Sequence, residues 1–396
     1  MLYIINSCKG GTLGMRERVL MTMLKWPVII WMKTVFNPRI VKNELNKKEG
    51  PAIFIGNHVT FEDPILAMMY TNRPISYLGA RINYDNKFKK VIFDLFKIIP
   101  FTKGKMDIKA LRQMKKCIDR GKSVGLYPEG GRTWDGSNIY IIESIANLIK
   151  LLKVPVYYVN LEGFYFVKPR WAKNYRKGRT MISVVKVLDK DQVKKLSSDE
   201  VLDAIKNAMT YDEYERQRKD KIEYRGKALA ESIEKVIYKC PNCMVVDSFT
   251  SKGNEFWCTE CNKKYSIDKY GFIHGSDKFD DLHRWNVWQE EFIDEIYNEK
   301  TPFISKDIKV NIVDENGTKR VKCDFIIENG KVSLGDIEID SDKISSPNLV
   351  FTDVVEFFED KTKYRIKIDP KKHTSITLIE RLLKKMVRES TNNINE

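Results

Sequence analysis

What this chain lacks first is an early apolar run long enough to cross a bilayer, which takes roughly 20 such residues. The most apolar early stretch, residues 19–36, is interrupted by Lys25, Pro27 and Lys33. No cleavable signal is expected either: the opening MLYIINSCKGG has no basic region followed by a long apolar core. Cysteine is sparse outside two Cys-x2-Cys pairs. Cys8, Cys117 and Cys323 are scattered among dissimilar surroundings, which excludes a disulfide framework and fits a reducing compartment. No internal repeat occurs. The 42% apolar content is ordinary for a globular protein and excludes wholesale disorder.

Basic residues, by contrast, are abundant and uneven. Residues 1–200 hold 36 Lys and Arg against 17 Asp and Glu, whereas residues 201–396 hold 33 against 37. A basic N-terminal half suits a polyanionic partner, nucleic acid or an anionic membrane surface, and also suits a merely solvated surface. Trp26 and Trp31, with Lys and Arg nearby, fit an interfacial segment lying among headgroups. The alternative is a core helix packed on the domain. At 396 residues the chain suits two or three domains.

From residue 51, short apolar strands alternate with helices. Strands are expected at 52–55, 75–78, 123–127 and 154–161, and helices at 108–120 and 139–152. That alternation implies an α/β layer structure, whose ligands gather where strands end. Ser197 and Glu200 have capping-box spacing ahead of a helical pattern that runs, with a break, to Tyr238. Residues 281–299 read as a helix with Trp285, Trp288, Phe292 and Ile296 along one side. Residues 303–370 alternate apolar and polar, with turns at Asn316-Gly317 and Asn329-Gly330, and read as antiparallel strands. A helix over 375–388 closes the chain.

Two segments follow strands directly. In Gly56-Asn57-His58-Val59-Thr60-Phe61-Glu62-Asp63-Pro64 the His-x4-Asp spacing would splay the side chains on a continuous helix. They meet only if the chain turns, which Asp63 as an N-cap and Pro64 as first helical residue would allow. A carboxylate on the ring N–H would then make His58 a general base; the alternatives are a plain cap and a surface loop histidine. In Tyr127-Pro128-Glu129-Gly130-Gly131-Arg132-Thr133, glycines permit close backbone approach and Arg offers a planar fork for phosphate.

Together these segments resemble the glycerolipid acyltransferase family, with Asn-His-x4-Asp at Asn57 to Asp63 and Phe-Pro-Glu-Gly-Thr-Arg at Tyr127 to Arg132. Ile99-Pro100-Phe101-Thr102-Lys103 and Val154-Pro155-Val156 stand at the middle and last blocks. Here Tyr127 replaces Phe, Gly131 replaces Thr and Lys103 replaces Arg, which keeps the charge but loses the bidentate fork. The resemblance covers roughly residues 15–235. It implies an α/β fold with a glycerolphosphate-acyltransferase-like sheet and flanking helices. It further implies acyl transfer from acyl-ACP or acyl-CoA to a lysophospholipid hydroxyl, 1-acylglycerol 3-phosphate above all, giving phosphatidic acid. His58 and Asp63 would be catalytic, and Lys103, Glu129, Gly130, Gly131 and Arg132 would bind substrate. With no nucleophilic Ser or Cys beside His58, direct transfer is expected. The expected partners are lysophospholipid, acyl donor, acyl-carrier protein and an anionic membrane. The expected setting is cytoplasmic, peripheral at the inner membrane face.

Cys240-x2-Cys243, fourteen residues, then Cys258-x2-Cys261 is zinc-ribbon spacing. Four thiolates fill a tetrahedral shell, so the expected zinc is structural. The rival reading is a basic zinc-ribbon protein that binds nucleic acid or docks on membranes without acyltransferase activity. Residues 201–300 hold 16 basic against 20 acidic side chains, unfavourable for phosphate, so nucleic acid is not an expected partner. The C-terminal strands and helix weakly resemble a pleckstrin-homology-like β-domain. The expected division is a membrane-associating segment at 1–45, an acyltransferase domain at 46–238, a zinc ribbon at 239–275, and a helix plus mainly-β domain at 276–396.

Overall fold

The computed structural model describes residues 15–46, 48–71, 73–81, 93, 96, 98–101, 107–138, 140–298, 302–368 and 375–395. The chain divides into two compact units, Met1–Arg170 with Tyr175–Arg225, and Trp171–Asn174 with Gly226–Glu396.

The first unit runs α1 (Met15–Phe36), β1 (Pro38–Asn43), β2 (Ile53–Gly56), α2 (Asp63–Thr71), β3 (Ile75–Ala80), β4 (Ile99–Phe101), α3 (Ile108–Asp119) and β5 (Ser123–Leu126). It continues with α4 (Ser144–Leu152), β6 (Val156–Glu162), α5 (Phe164–Val167), β7 (Thr180–Leu188), α6 (Lys190–Lys195), α7 (Ser198–Met209) and α8 (Glu213–Asp220). Its sheet has the order β1-β7-β6-β2-β5-β3-β4. The pairs are parallel except β6 with β7. The central strand β2 is buried at every position, as expected for a strand covered on both faces.

One face is closed by amphipathic helices. Asp107 accepts from the Ala110 N–H and starts α3, which buries Ala110, Met114, Cys117 and Ile118 at helical spacing. Ser197 and Glu200 form the expected capping box, and α7 buries Val201, Ile205 and Met209. These residues join Ile53, Ile55, Val124 and Val156 in one core. On α1, Ile29, Met32 and Phe36 are buried while Met23, Trp26, Ile30 and Trp31 are exposed. Among the described residues no helix is long and apolar enough to cross a membrane.

Three expectations need correction. The helix expected from residue 139 begins at Ser144, because the Ile142 N–H bonds the Pro128 carbonyl at 2.9 Å and holds that stretch on the turn after β5. The helical pattern expected to reach Tyr238 with a break ends as α-helix at Asp220, where Lys221 turns left-handed (φ 47°), and returns only as a 3-10 turn at Ile233–Lys235. The Gln217 side chain then bonds the Ile222 backbone in place of a further turn. The helix expected over 281–299 is two helices, α9 (Leu282–Glu290) and α10 (Ile293–Asn298). Of the scattered cysteines, Cys117 is buried on α3 and Cys323 is free, while Cys8 lies outside the described residues. Strands β1 and β7 escaped the sequence reading altogether.

The second unit holds a four-stranded antiparallel sheet of β8 (Phe249–Lys252), β9 (Glu255–Cys258), β10 (Lys264–Ile267) and β11 (Ile273–His274). After α9 and α10 come seven antiparallel strands: β12 (Phe303–Asp314), β13 (Gly317–Glu328), β14 (Lys331–Leu334), β15 (Ile337–Asp340), β16 (Ile344–Val350), β17 (Val354–Glu359) and β18 (Thr362–Lys367). The helix α11 (Ile376–Asn395) follows. Their order is β15-β14-β13-β12-β18-β17-β16. Asn329 and Gly330 both have positive φ, as a two-residue hairpin turn requires.

Candidate active site

Parallel neighbours β2 and β5 pair Ile55 with Leu126, so both strands run out at the same sheet edge. The Asn57-His58 and Tyr127-Pro128-Glu129 segments therefore emerge side by side. Asn57 prolongs β2 by side chain: its Nδ2 donates to the Leu161 carbonyl at 2.9 Å and its Oδ1 accepts from the Leu161 N–H at 2.8 Å. This lock sits one residue before the histidine. Asn57→Ala leaves two buried backbone groups of Leu161 without these partners, each worth about 1–3 kcal/mol. Urea unfolding should show a loss of about 2–6 kcal/mol, and an unchanged midpoint would refute the lock.

His58 Nδ1 lies 2.9 Å from Asp63 Oδ2. Asp63 is fully buried and fully occupied. Oδ2 also accepts from the Val59 N–H (2.7 Å) and the Thr60 N–H (3.0 Å), while Oδ1 accepts from the Thr60 N–H (2.9 Å) and hydroxyl (2.6 Å). Every donor precedes Asp63, so the expected cap of α2 is instead a clasp on the turn before it. The imidazole is 24% exposed. A carboxylate on Nδ1 favours the neutral tautomer with its proton there.

The imidazole stacks on Tyr127, centroids 4.2 Å apart at 16°, and Tyr127 stacks on Tyr77 at 5.4 Å. Gly125 makes room for that row, since a Cβ there would come within 2.4 Å of Tyr77. Tyr127 and Tyr77 are both buried phenols, with pKa values raised chiefly by burial.

Glu129 is buried, and its Oε1 accepts the His58 backbone N–H at 3.1 Å. It thus holds the histidine's main chain. Gly130 needs its glycine for a φ of 67°, and its N–H is taken by the Tyr127 carbonyl at 3.2 Å. The Gly131 N–H bonds nothing among the described residues. The Thr133 N–H returns to the His58 carbonyl at 2.9 Å, closing the two segments on each other.

Arg132 is half-buried. Desolvation lowers its pKa, against the pull of Asp63, Glu62 and Tyr175. Glu62 has its carboxyl raised by burial, partly offset by a hydrogen bond from Tyr175 Oη at 3.0 Å. Lys103 lies outside the described residues. Asn57 as a lock, Glu62, Tyr77 and Tyr175 were missed as site residues. Asn57 and Glu62 had a signal in their adjacency to His58 and Asp63; Tyr175, 113 residues from Glu62, had none.

In the second unit, Cys240, Cys243, Cys258 and Cys261 bring their sulfurs within 4.8 Å of one another. Cys240 and Cys261 are 3.8 Å apart, and Cys243 and Cys258 are 3.6 Å apart. A tetrahedron with metal–sulfur bonds of about 2.3 Å has edges of about 3.8 Å, so the four thiols fit one metal ion. Each pair sits on a matching knuckle: Met244 and Asn262, one residue past the second cysteine, both have positive φ. Their N–H groups return to the carbonyls of Cys240 and Cys258 at 2.9 and 3.0 Å.

A crystal structure of the 1-acyl-sn-glycerophosphate (LPA) acyltransferase, PlsC, from Thermotoga maritima is similar at 18% sequence identity. It matches over 49% of this chain and 78% of that chain, with a TM-score of 0.40. No curated protein matches. The family model described as Acyltransferase matches residues 38–162, a span holding His58, Asp63 and the segment from Tyr127 to Arg132. On that match, residues 38–162 form a domain of the acyltransferase family.

Proposed function

We propose that this chain transfers a fatty acyl group from acyl-coenzyme A or acyl-carrier protein to the free hydroxyl of a lysophospholipid. The acceptor is 1-acylglycerol 3-phosphate and the product phosphatidic acid. The observation that carries this reading is the buried, fully hydrogen-bonded Asp63 set on Nδ1 of a partly exposed His58. His58 Nε2 takes the proton of the acceptor hydroxyl as its oxygen attacks the thioester carbonyl. Asp63 stabilises the imidazolium. The tetrahedral intermediate then collapses to the ester, and the departing thiolate regains that proton. The Gly131 N–H is the donor for the oxyanion, a service typically worth about 10²–10³ in rate. Arg132, with Lys103, takes the acceptor phosphate. The test is mass spectrometry of products from the purified chain with a panel of lyso-acceptors and both donors. Phosphatidic acid should dominate, and transfer to no acceptor from either donor would end this reading.

An enzyme with lipid substrates also needs a seat on the bilayer. The exposed face of α1, Met23, Trp26 and Ile30 at spacings of three and four, is the segment for it, with the chain peripheral rather than spanning. Replacing these three by serine should lower partitioning onto vesicles at least tenfold, since each buried apolar side chain is worth about 1.5–3 kcal/mol. Unchanged sedimentation with vesicles would remove α1 from that role. The four cysteines are further proposed to hold one structural zinc.

A further inference from the structure

The exposed side of α1 and the catalytic turn are joined through one residue outside every motif. Tyr175, in the loop between α5 and β7, is 40% exposed. Its ring meets Trp31 of α1 edge-on at 5.9 Å and Phe36 at 6.1 Å. Lys168 Nζ stands 4.8 Å over the same ring. Its hydroxyl bonds Glu62 Oε1 at 3.0 Å, one residue before Asp63. Arg132 feels Asp63, Glu62 and Tyr175 together. Trp31 is itself 41% exposed, so the row Trp31, Tyr175, Glu62 leads from the apolar side of α1 to the general base.

Such a row has two ends of different chemistry. Aromatic rings half in and half out of water offer apolar contact to a hydrocarbon chain and a polar tip to a headgroup. Lys168 at the ring and Arg132 beyond it are cations placed for a phosphate. A ligand with a phosphate and an acyl tail could use both ends at once; glycerol 3-phosphate, without a tail, could use only the inner one. Exposed aromatics are dispensable to a fold, yet this one is tethered by a hydrogen bond to a carboxylate whose burial is costly.

We propose that Tyr175, held by Glu62, is the lip over which a lysophospholipid passes from the α1 side to Arg132 and His58, and that it sets preference for acceptors carrying an acyl chain. This deepens the acyltransferase reading and rests on it for the identity of the reaction, but not for the binding it asserts. Tyr175 is a positioning residue: it makes contact with the acceptor's tail side and takes no proton.

The test is equilibrium binding to the full chain without acyl donor. Lysophosphatidic acid, kept below its micelle concentration, is titrated while tryptophan fluorescence is followed. Tyr175→Ala should weaken it about tenfold, the factor that about 1.4 kcal/mol supplies, while glycerol 3-phosphate binding stays within twofold. Tyr175→Phe, which cuts the tether, and Glu62→Gln, which weakens it by removing the charge on the acceptor, should fall between wild type and alanine. In turnover, Tyr175→Ala should raise KM for the lyso-acceptor and leave that for the acyl donor alone. Equal weakening of both ligands, a rise in donor KM instead, or binding unchanged in all three variants would overturn the proposal. A binding difference in a chain that transfers no acyl group would leave the lip standing and remove the catalytic reading.

Discussion

His58→Ala should lower kcat for acylation of 1-acylglycerol 3-phosphate by about 10²–10⁴, the usual worth of general-base assistance. KM for either substrate should move little, because the imidazole's service is given in the transition state rather than to the bound ground state. Asp63→Asn is the sharper probe. An amide in this place can accept on one atom only, whereas Asp63 accepts on both from the Val59 and Thr60 N–H groups and the imidazole. The substitution should therefore both release the 58–60 turn and let the imidazole adopt the wrong tautomer. The expected result is a kcat loss as large as that of His58→Ala, with a double variant no worse than either single one, since the two residues act as a unit. Initial rates at saturating donor measure it. Near-wild-type turnover in His58→Ala would sink the base assignment; independent, multiplying losses would sink the pairing.

Chelation, or Cys258→Ser, should remove one equivalent of zinc and unfold the cysteine module. Zinc binding by four thiolates contributes about 10–16 kcal/mol to folding, as much as the whole stability of an ordinary domain, about 5–15 kcal/mol. The module's core is an aromatic cluster of Phe249, Phe256, Tyr265 and Trp285, and Cys240 and Cys258 are buried within it. Trp285 is fully buried, with its indole N–H on the Lys239 carbonyl at 3.1 Å, so its emission should shift to the red when the knuckles open. Metal content and near-ultraviolet circular dichroism follow the two events. Zinc retained by Cys258→Ser, or an unchanged aromatic signal after complete removal, would show that these cysteines are not a structural centre.

Much of the site was legible because its chemistry is local. His58 and Asp63 lie five residues apart, and the strand before them is an uninterrupted apolar run, so one turn suffices to bring them together. The cysteine knuckles are legible for the same reason: each Cys-x2-Cys pair is a single tight turn. The α7 capping box needed only the residues from Ser197 to Glu200. Where a distant partner intervened, the reading went astray. Ile142 could not be told from a helical residue without the Pro128 carbonyl it bonds. Asp63 looked like a cap until the donors on its upstream side were seen. The contact of the Glu129 carboxylate with the His58 N–H had no signal within a few residues of either.

By itself, then, the amino-acid order determined which groups can do chemistry here: an imidazole with a carboxylate five positions on, a glycine-rich segment after a strand, and four thiols in two tight pairs. It determined too that α/β alternation precedes a run of antiparallel strands. Only the tertiary structure decided what each group touches. Sheet order put β2 beside β5 and so brought residues 58 and 129 together across 71 positions. Loop placement set Tyr175 against Glu62 and α1. The physical reason is range: caps, turns and knuckles are settled by neighbours within a few residues, whereas hydrogen bonds between strands and stacked rings depend on where a folded backbone delivers them.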